Sequence, residues 1–239
     1  MMLRVVTAEL LDGLDANDPD AMRSRMDLRR VHRAMGTRAI LLSGLKALTA
    51  KHPKDRPLRL LEIGAGDGSL MLGVAQALTP TWSRVELTLL DRQNLLNQTI
   101  IECYAEVGWT AIAKVVDVLD WAKASVSETW DLVVANLFLH HFKGPELHAI
   151  LAAIAQRSSR FFACEPRRDW LALTGSHLVG AIGANKVTRE DAVLSVYAGF
   201  NCSEITAMWP QGDGQWRVQE YSAGLFSHFF RAERPEFRP

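Results

Sequence analysis

Apolar positions change their spacing twice along this chain, and the changes divide it into three regions. Through residue 56 the spacing is helical. In "DANDPDAMRSRMDLRRVHRAMG", Asp18 suits a helix cap, Pro19 the first helical position and Gly36 the left-handed residue that ends a helix. Leu41, Leu45 and Leu48 then recur at helical intervals, predicting a second helix capped by Thr37. The polar, proline-bounded "KHPKDRP" closes this N-terminal helical cap, residues 1–56. From 57 to 166 short apolar runs alternate with helical segments. The runs "LRLLEIG", "RVELTLLD", "AIAKVVDVLD", "WDLVVANLFL" and "SRFFACEP" read as strands; "GSLMLGVAQALT", "QNLLNQTIIECYAEVG", "WAKASVSE" and "GPELHAILAAIAQR" read as helices between them. That alternation predicts an α/β fold with an open, doubly wound, mainly parallel sheet. Ligands of such sheets bind outside the carboxyl ends of the strands.

Residues 167–239 lose this rhythm. "DWLALTGSHLVGAIGANKV" is glycine-punctuated and has no obvious packing surface other than the open edge of the sheet, so it is expected to form a lid. Thr188 and Asp191 predict a capping-box start for a last helix ended by Gly199. Strands near "SEITAMW" and "WRVQEYSAGLFSHFFRAE", flanking the turn "PQGDGQ", predict an antiparallel C-terminal hairpin that closes the sheet. The whole, 1–239, is expected to be one domain.

Charge narrows the partners. Twenty-seven basic residues balance twenty-seven acidic ones in 239, so no net field draws in nucleic acid or an anionic bilayer, and neither is expected as a partner. Cys103, Cys164 and Cys202 show neither CxxC spacing nor a Cys/His cluster, so no zinc motif is read and reduced thiols are expected. The stretch "MMLRVVTAELLDGLDANDPD" meets acidic residues early, and no uncharged apolar run approaches the roughly 20 residues of a membrane span. A cytoplasmic protein is the expectation, with a homodimer left open.

The chemistry concentrates in "LEIGAGDGSL". Gly64 permits a tight turn, Gly66 lets a ligand approach the backbone, and Gly68 lets the next helix pack closely. No lysine follows, which argues against a phosphate loop. The spacing also differs from the dinucleotide fingerprint GxGxxG, and Glu62 and Asp67 would repel a pyrophosphate. A ligand with a cationic amino-acid half suits the loop better.

"EIGAGDG" resembles the E/DxGxGxG motif of class I S-adenosylmethionine-dependent methyltransferases of the small-molecule, quinone and natural-product type, and the likeness extends over about 58–166. The resemblance implies a Rossmann-like seven-stranded sheet and S-adenosyl-L-methionine as cofactor, with Glu62, Gly64, Ala65, Gly66 and Gly68 forming its loop. Asp91, beside Arg92, matches the residue that accepts from both ribose hydroxyls; Asp117, beside Val118, matches the one that meets the adenine amino group. "DLVVANLFLHHF" matches the fourth-strand motif, whose Asn136 and Leu137 lie beside the methionine end.

Methyl transfer from a sulfonium is a direct displacement, which asks the protein to align an acceptor and remove its proton. His140 and His141 are the candidate catalytic groups for a phenol or enol acceptor. "ANLFLHH" lacks both the carboxylates of metal-dependent catechol methyltransferases and the Pro-Pro motif of amide methylation, so a metal-independent transfer is expected, with no metal ligands. The implied acceptor is a small aromatic, quinone-like or polyketide-like molecule, methylated on oxygen or carbon. Trp170, Leu171 and Leu178 offer apolar lid surface and His177 and Asn185 polar contacts; Arg29, Arg30 or Arg33 could clamp a carboxylate, and Glu165 is a further polar group above the sheet. A protein methyltransferase, a catalytically idle cofactor-binding relative and a nucleotide-dependent oxidoreductase are the alternatives.

Overall fold

The computed structural model describes residues 2–79, 81–82, 84–210 and 216–235. A one-turn helix α1 (Leu10–Gly13) precedes α2 (Pro19–Met35) and α3 (Thr37–Thr49). The Asp18 carboxylate accepts from the amides of Asp20 and Ala21, and Gly36 ends α2 in the left-handed region at φ 68°. Gly36 also starts α3, so no residue with extended backbone remains to act as cap. Thr37 therefore does not cap α3; it is buried in the first turn.

Five βα steps follow: β1 (Leu58–Ile63), α4 (Ser69–Leu78), β2 (Val85–Asp91), α5 (Gln98–Glu106), β3 (Trp109–Val115), α6 (Val118–Lys123), β4 (Leu132–Asn136), α7 (Gly144–Arg157) and β5 (Arg160–Pro166). Then come α8 (Trp170–His177), α9 (Lys186–Ala198), α10 (Glu204–Met208), β6 (Arg217–Ala223) and β7 (Ser227–Glu233). The seven strands are ordered β3-β2-β1-β4-β5-β7-β6, the first five parallel and β7 antiparallel to both neighbours. This is the doubly wound sheet with an antiparallel hairpin that the patterning predicts.

Both faces of the sheet are covered. Leu61, Ile63, Val133 and Phe161 pack under α6 and α7, while Leu60, Leu132, Val134 and Phe162 pack under α3 and α4. Gly44 brings α3 onto the sheet: a Cβ there would stand 1.8 Å from the Phe162 ring.

Four local expectations change. "SEITAMW" is helical, not a strand, because Glu220 on β6 accepts from the amides of Ile205 and Thr206 and so holds the first turn of α10. Trp209 just beyond stacks on Phe161 at 5.4 Å. The hairpin turns instead between β6 and β7 at Gly224, φ 64°; residues 211–215 of "PQGDGQ" lie outside the described residues. Helix α9 starts at Lys186, capped by Asn185 accepting from the Thr188 amide, because Asp191 is turned away to the amides of Leu10 and Leu11. Strand β3 ends at Val115, so Asp117 stands two residues beyond it as the cap of α6. Among the described residues no helix is long and apolar enough to cross a membrane.

Candidate functional site

Neighbouring strands β1 and β4 send their chains to opposite faces of the sheet, one into α4 and the other toward α7. This opens a crevice above their carboxyl ends. A cavity of about 600 Å³ lies there. Its walls include Glu62, Gly64, Ala65, Gly66, Asp91, Arg92, Asp117, Val118, Asn136, Leu137, His140 and His141. Gly68 is not in the wall. It starts α4 at φ 73°, where a Cβ would press within 3.0 Å of Leu96.

The loop after β1 is shaped by the side chains beneath it. Gly64, at φ 72°, lies so close over Phe138 that a Cβ would come within 2.2 Å of the ring; at Gly66, φ 56°, a Cβ would meet nothing within 4 Å, so this backbone faces open space. Asp91 anchors the loop by accepting from the Gly66 amide at 2.9 Å, while its other oxygen accepts from Gln93 at 2.9 Å. Asp117 accepts from the Leu119 amide at 2.7 Å. Asp67 turns to the rim, accepting from Ser69 at 3.0 Å and pairing with Arg29 of α2 at 2.7 Å; burial opposes its ionisation, but these bonds hold it below the usual carboxylate range. Glu62 is 3% exposed, and burial, with the like charges of Asp67 and Asp91 behind it, pushes its carboxyl up to about 8. Glu62 Oε2 and Asn136 Oδ1 are buried with no hydrogen-bond partner among the described residues. Two unpaired polar atoms and an open glycine face fit a ligand that brings its own donors.

The turn after β4 is held from below. Leu137 takes a left-handed conformation, φ 48°, and donates its amide to Cys164 at 2.8 Å. Fully buried Glu165 accepts from the amides of Phe138, Leu139 and His140 and from His140 Nδ1 at 2.8 Å. His140 Nε2 lies 3.3 Å from Glu9 Oε1. Burial works against charge on this ring, but the bonds to Glu165 and Glu9 prevail and raise it to about 9. With both ring nitrogens engaged and the charged form favoured, His140 has no free lone pair for an acceptor's proton. The His141 ring stands 4.2 Å away and is 20% exposed, with Nδ1 3.0 Å from Asp12 Oδ2.

Sequence reasoning missed Glu9 and Asp12. Both sit on a strap before α2 that crosses the carboxyl edge of the sheet, held where Val5 donates to Tyr197 and where Leu10 and Leu11 donate to Asp191. Ser195 donates to Glu9 by a short hydrogen bond, and Arg92 reaches Asp12 at 3.1 Å.

A second, apolar cavity of about 160 Å³ lies between α2, α8 and α9, and shares Glu9, Leu11, Leu28, Leu137 and Ser195 with the larger one. Val31, Ala172, Val179, Ile182, Ala192 and Phe226 form its apolar wall. The lid residues singled out by hydrophobicity do not: Trp170 is 71% exposed, Leu171 49% and Leu178 62%. Helix α8 instead turns its small residues inward, where the helices approach closely. His177 is exposed and Asn185 serves as a cap. Arg30 pairs with Asp27, whereas Arg29 lines the larger cavity.

No family model matches the sequence, and no curated protein sequence matches it. Solved structures do. The chain is similar to the plantazolicin methyltransferase BpumL in complex with S-adenosylhomocysteine, at 13% identity over 92% of each chain and a TM-score of 0.63. It is similar to the magnesium protoporphyrin IX methyltransferase of Synechocystis PCC 6803 with bound S-adenosylhomocysteine, at 18% identity over 94% of this chain and 91% of that one, TM-score 0.53. A third likeness is to the CurJ carbon methyltransferase, at 15% identity over 83% of this chain and 54% of that one, TM-score 0.57. By strand order, crevice and these likenesses, the chain has the fold of the class I S-adenosylmethionine-dependent methyltransferases.

Proposed function

We propose that this protein is an S-adenosylmethionine-dependent methyltransferase acting on oxygen or carbon of a small aromatic, quinone-like or polyketide-like acceptor. The observation that carries the reading is the meeting, in one crevice, of Glu62 and Asp91 on adjacent strands and Asp117 just beyond the next one, with buried polar atoms of Glu62 and Asn136 left unpaired. An unpaired buried polar atom costs about 1–3 kcal/mol, which a bound donor recovers. Asp91 would hold the ribose hydroxyls, Asp117 the adenine amino group, and Glu62 and Asn136 the amino-acid end, with Arg29 in reach of its carboxylate. When bound, the cofactor supplies a methyl group on a sulfonium.

The apolar chamber supports the acceptor class. Its walls suit a ring or a short hydrocarbon, and its junction with the larger cavity carries Glu9, Leu137 and Ser195. Helices α2, α8 and α9 exclude water from the ring, and the partly exposed His141 and Glu9 face the acceptor's hydroxyl. The similar structures include methyltransferases named for small molecules, which favours the same class.

Calorimetry against S-adenosylhomocysteine and against nicotinamide dinucleotides tests the cofactor: micromolar binding of the first and none of the second is expected. Labelled S-adenosylmethionine with a panel of phenols, quinols and β-diketones tests the acceptor. Binding of a dinucleotide alone would overturn the reading.

A further inference from the structure

The histidine pair is arranged in a way that methyl transfer does not demand. Each ring has Nδ1 against a carboxylate, Glu165 for His140 at 2.8 Å and Asp12 for His141 at 3.0 Å. Each ring turns Nε2 toward one shared carboxylate, Glu9, at 3.3 Å from His140 and 4.0 Å from His141. The ligand atoms of Glu9, His140 and His141 all lie within 4.8 Å of one another. Imidazoles that ligate metals have this arrangement: a carboxylate on one nitrogen sets the tautomer and the ion takes the other nitrogen's lone pair, at His140 in place of the proton that Nε2 shares with Glu9 when no ion is bound. A tetrahedral zinc with bonds of about 2.0–2.2 Å places its ligand atoms about 3.4 Å apart, so the His140–Glu9 pair is already at that spacing and His141 needs to move inward by less than its own ring width. Among the described residues, Glu9 and Glu165 pair with the histidines, and Asp12 pairs with His141 and Arg92.

We propose that Glu9, His140 and His141 bind a divalent transition-metal ion, zinc or a close relative, at the junction of the two cavities, with Glu165 and Asp12 as the carboxylates that orient the rings. Two histidines and one carboxylate fill three positions and leave the fourth facing the cavity, the open form of a zinc site. An ion there would polarise an acceptor oxygen, a role that rests on the methyl-transfer reading; binding of the ion does not. The expectation of a metal-independent transfer rests on the residues after β4 alone, and Glu9 joins them from 131 residues earlier.

The test uses the full chain, stripped of metal by chelation and titrated with cobalt(II) chloride. One ion per chain is expected, with visible d–d bands of four- or five-coordinate cobalt that zinc(II) displaces. His141→Ala and Glu9→Gln should abolish the bands, and Asp12→Asn should weaken binding about 10–100-fold. His141 is partly exposed and the glutamine is isosteric, so circular dichroism should show both variants folded; Asp12→Asn, at a half-exposed position, gives a reading if either fails. The absence of saturable cobalt and zinc binding by the wild-type chain, or wild-type bands in both His141→Ala and Glu9→Gln, would overturn the proposal, and neither result depends on whether S-adenosylhomocysteine binds.

Discussion

Glu62 is the residue whose behaviour the cavity specifies most tightly. In the free protein its carboxyl is pushed up to about 8, against a usual 4.5, because burial and two neighbouring carboxylates disfavour its charge. A tenfold change in proton affinity corresponds to about 1.4 kcal/mol, so the charged form is penalised by roughly 5 kcal/mol. The folded chain thus binds this proton more tightly than the unfolded chain. The stability it contributes is complete below the usual carboxylate value and is lost as pH rises through about 8. A ligand with an ammonium group reverses the preference by pairing with the ionised carboxylate. Binding should then release close to one proton per chain at pH 7, and affinity should rise about tenfold per pH unit between 5 and 7 and level off through about 8. Titration of S-adenosylhomocysteine in buffers of different ionisation enthalpy measures the proton directly. Glu62→Gln should abolish both the release and the pH slope, and should be more stable than wild type at pH 9 but not at pH 4. Binding without proton release, or a glutamine variant no more stable at pH 9, would refute the assignment.

Other expectations are simpler. Asp91→Ala removes the acceptor that anchors the Gly66 amide, and should weaken S-adenosylhomocysteine binding by about 1–3 kcal/mol with the sheet intact, as read by calorimetry and circular dichroism. Gly44→Ala puts a Cβ 1.8 Å from Phe162; the overpacking, about 1–3 kcal/mol, should exceed the roughly 1 kcal/mol of helix propensity gained, and urea unfolding should show a net loss. Ala192→Trp fills the apolar chamber and should raise KM for any acceptor severalfold while leaving S-adenosylhomocysteine affinity unchanged; an equal loss of both would mean that the chamber does not take the acceptor.

What the sequence reveals is what local chemistry determines. The β1 loop, Asp91 and Asn136 each sit at a strand end with their own pattern and Asp117 stands two residues past one, and the strand order brings them to one crevice. Glu9 and Asp12 carry no such pattern: "TAELLDGLD" reads as a polar helical start, and its partners Asp191, Ser195 and His140 are distant in the chain. The segment "SEITAMW" goes wrong for a related reason, since Glu220 supplies from another element the cap that the segment itself lacks. The chamber walls invert the hydrophobic guess because close helix approach selects Ala172, Gly175 and Ser176 and leaves Trp170 outside.

The strap that brings Glu9 to the crevice also sets an order of assembly. Its anchors lie about 180 to 190 residues downstream, at Asp191 and Tyr197, whereas β1 to β5 pair within a continuous stretch of chain. Contacts of such long sequence separation form last, because the closure entropy of the loop precedes any reward. During synthesis the strap must therefore wait for α9, which follows it in the chain, before it has anywhere to dock. The parallel sheet can mature without the apolar chamber, and the crevice is complete only when α9 has met the strap.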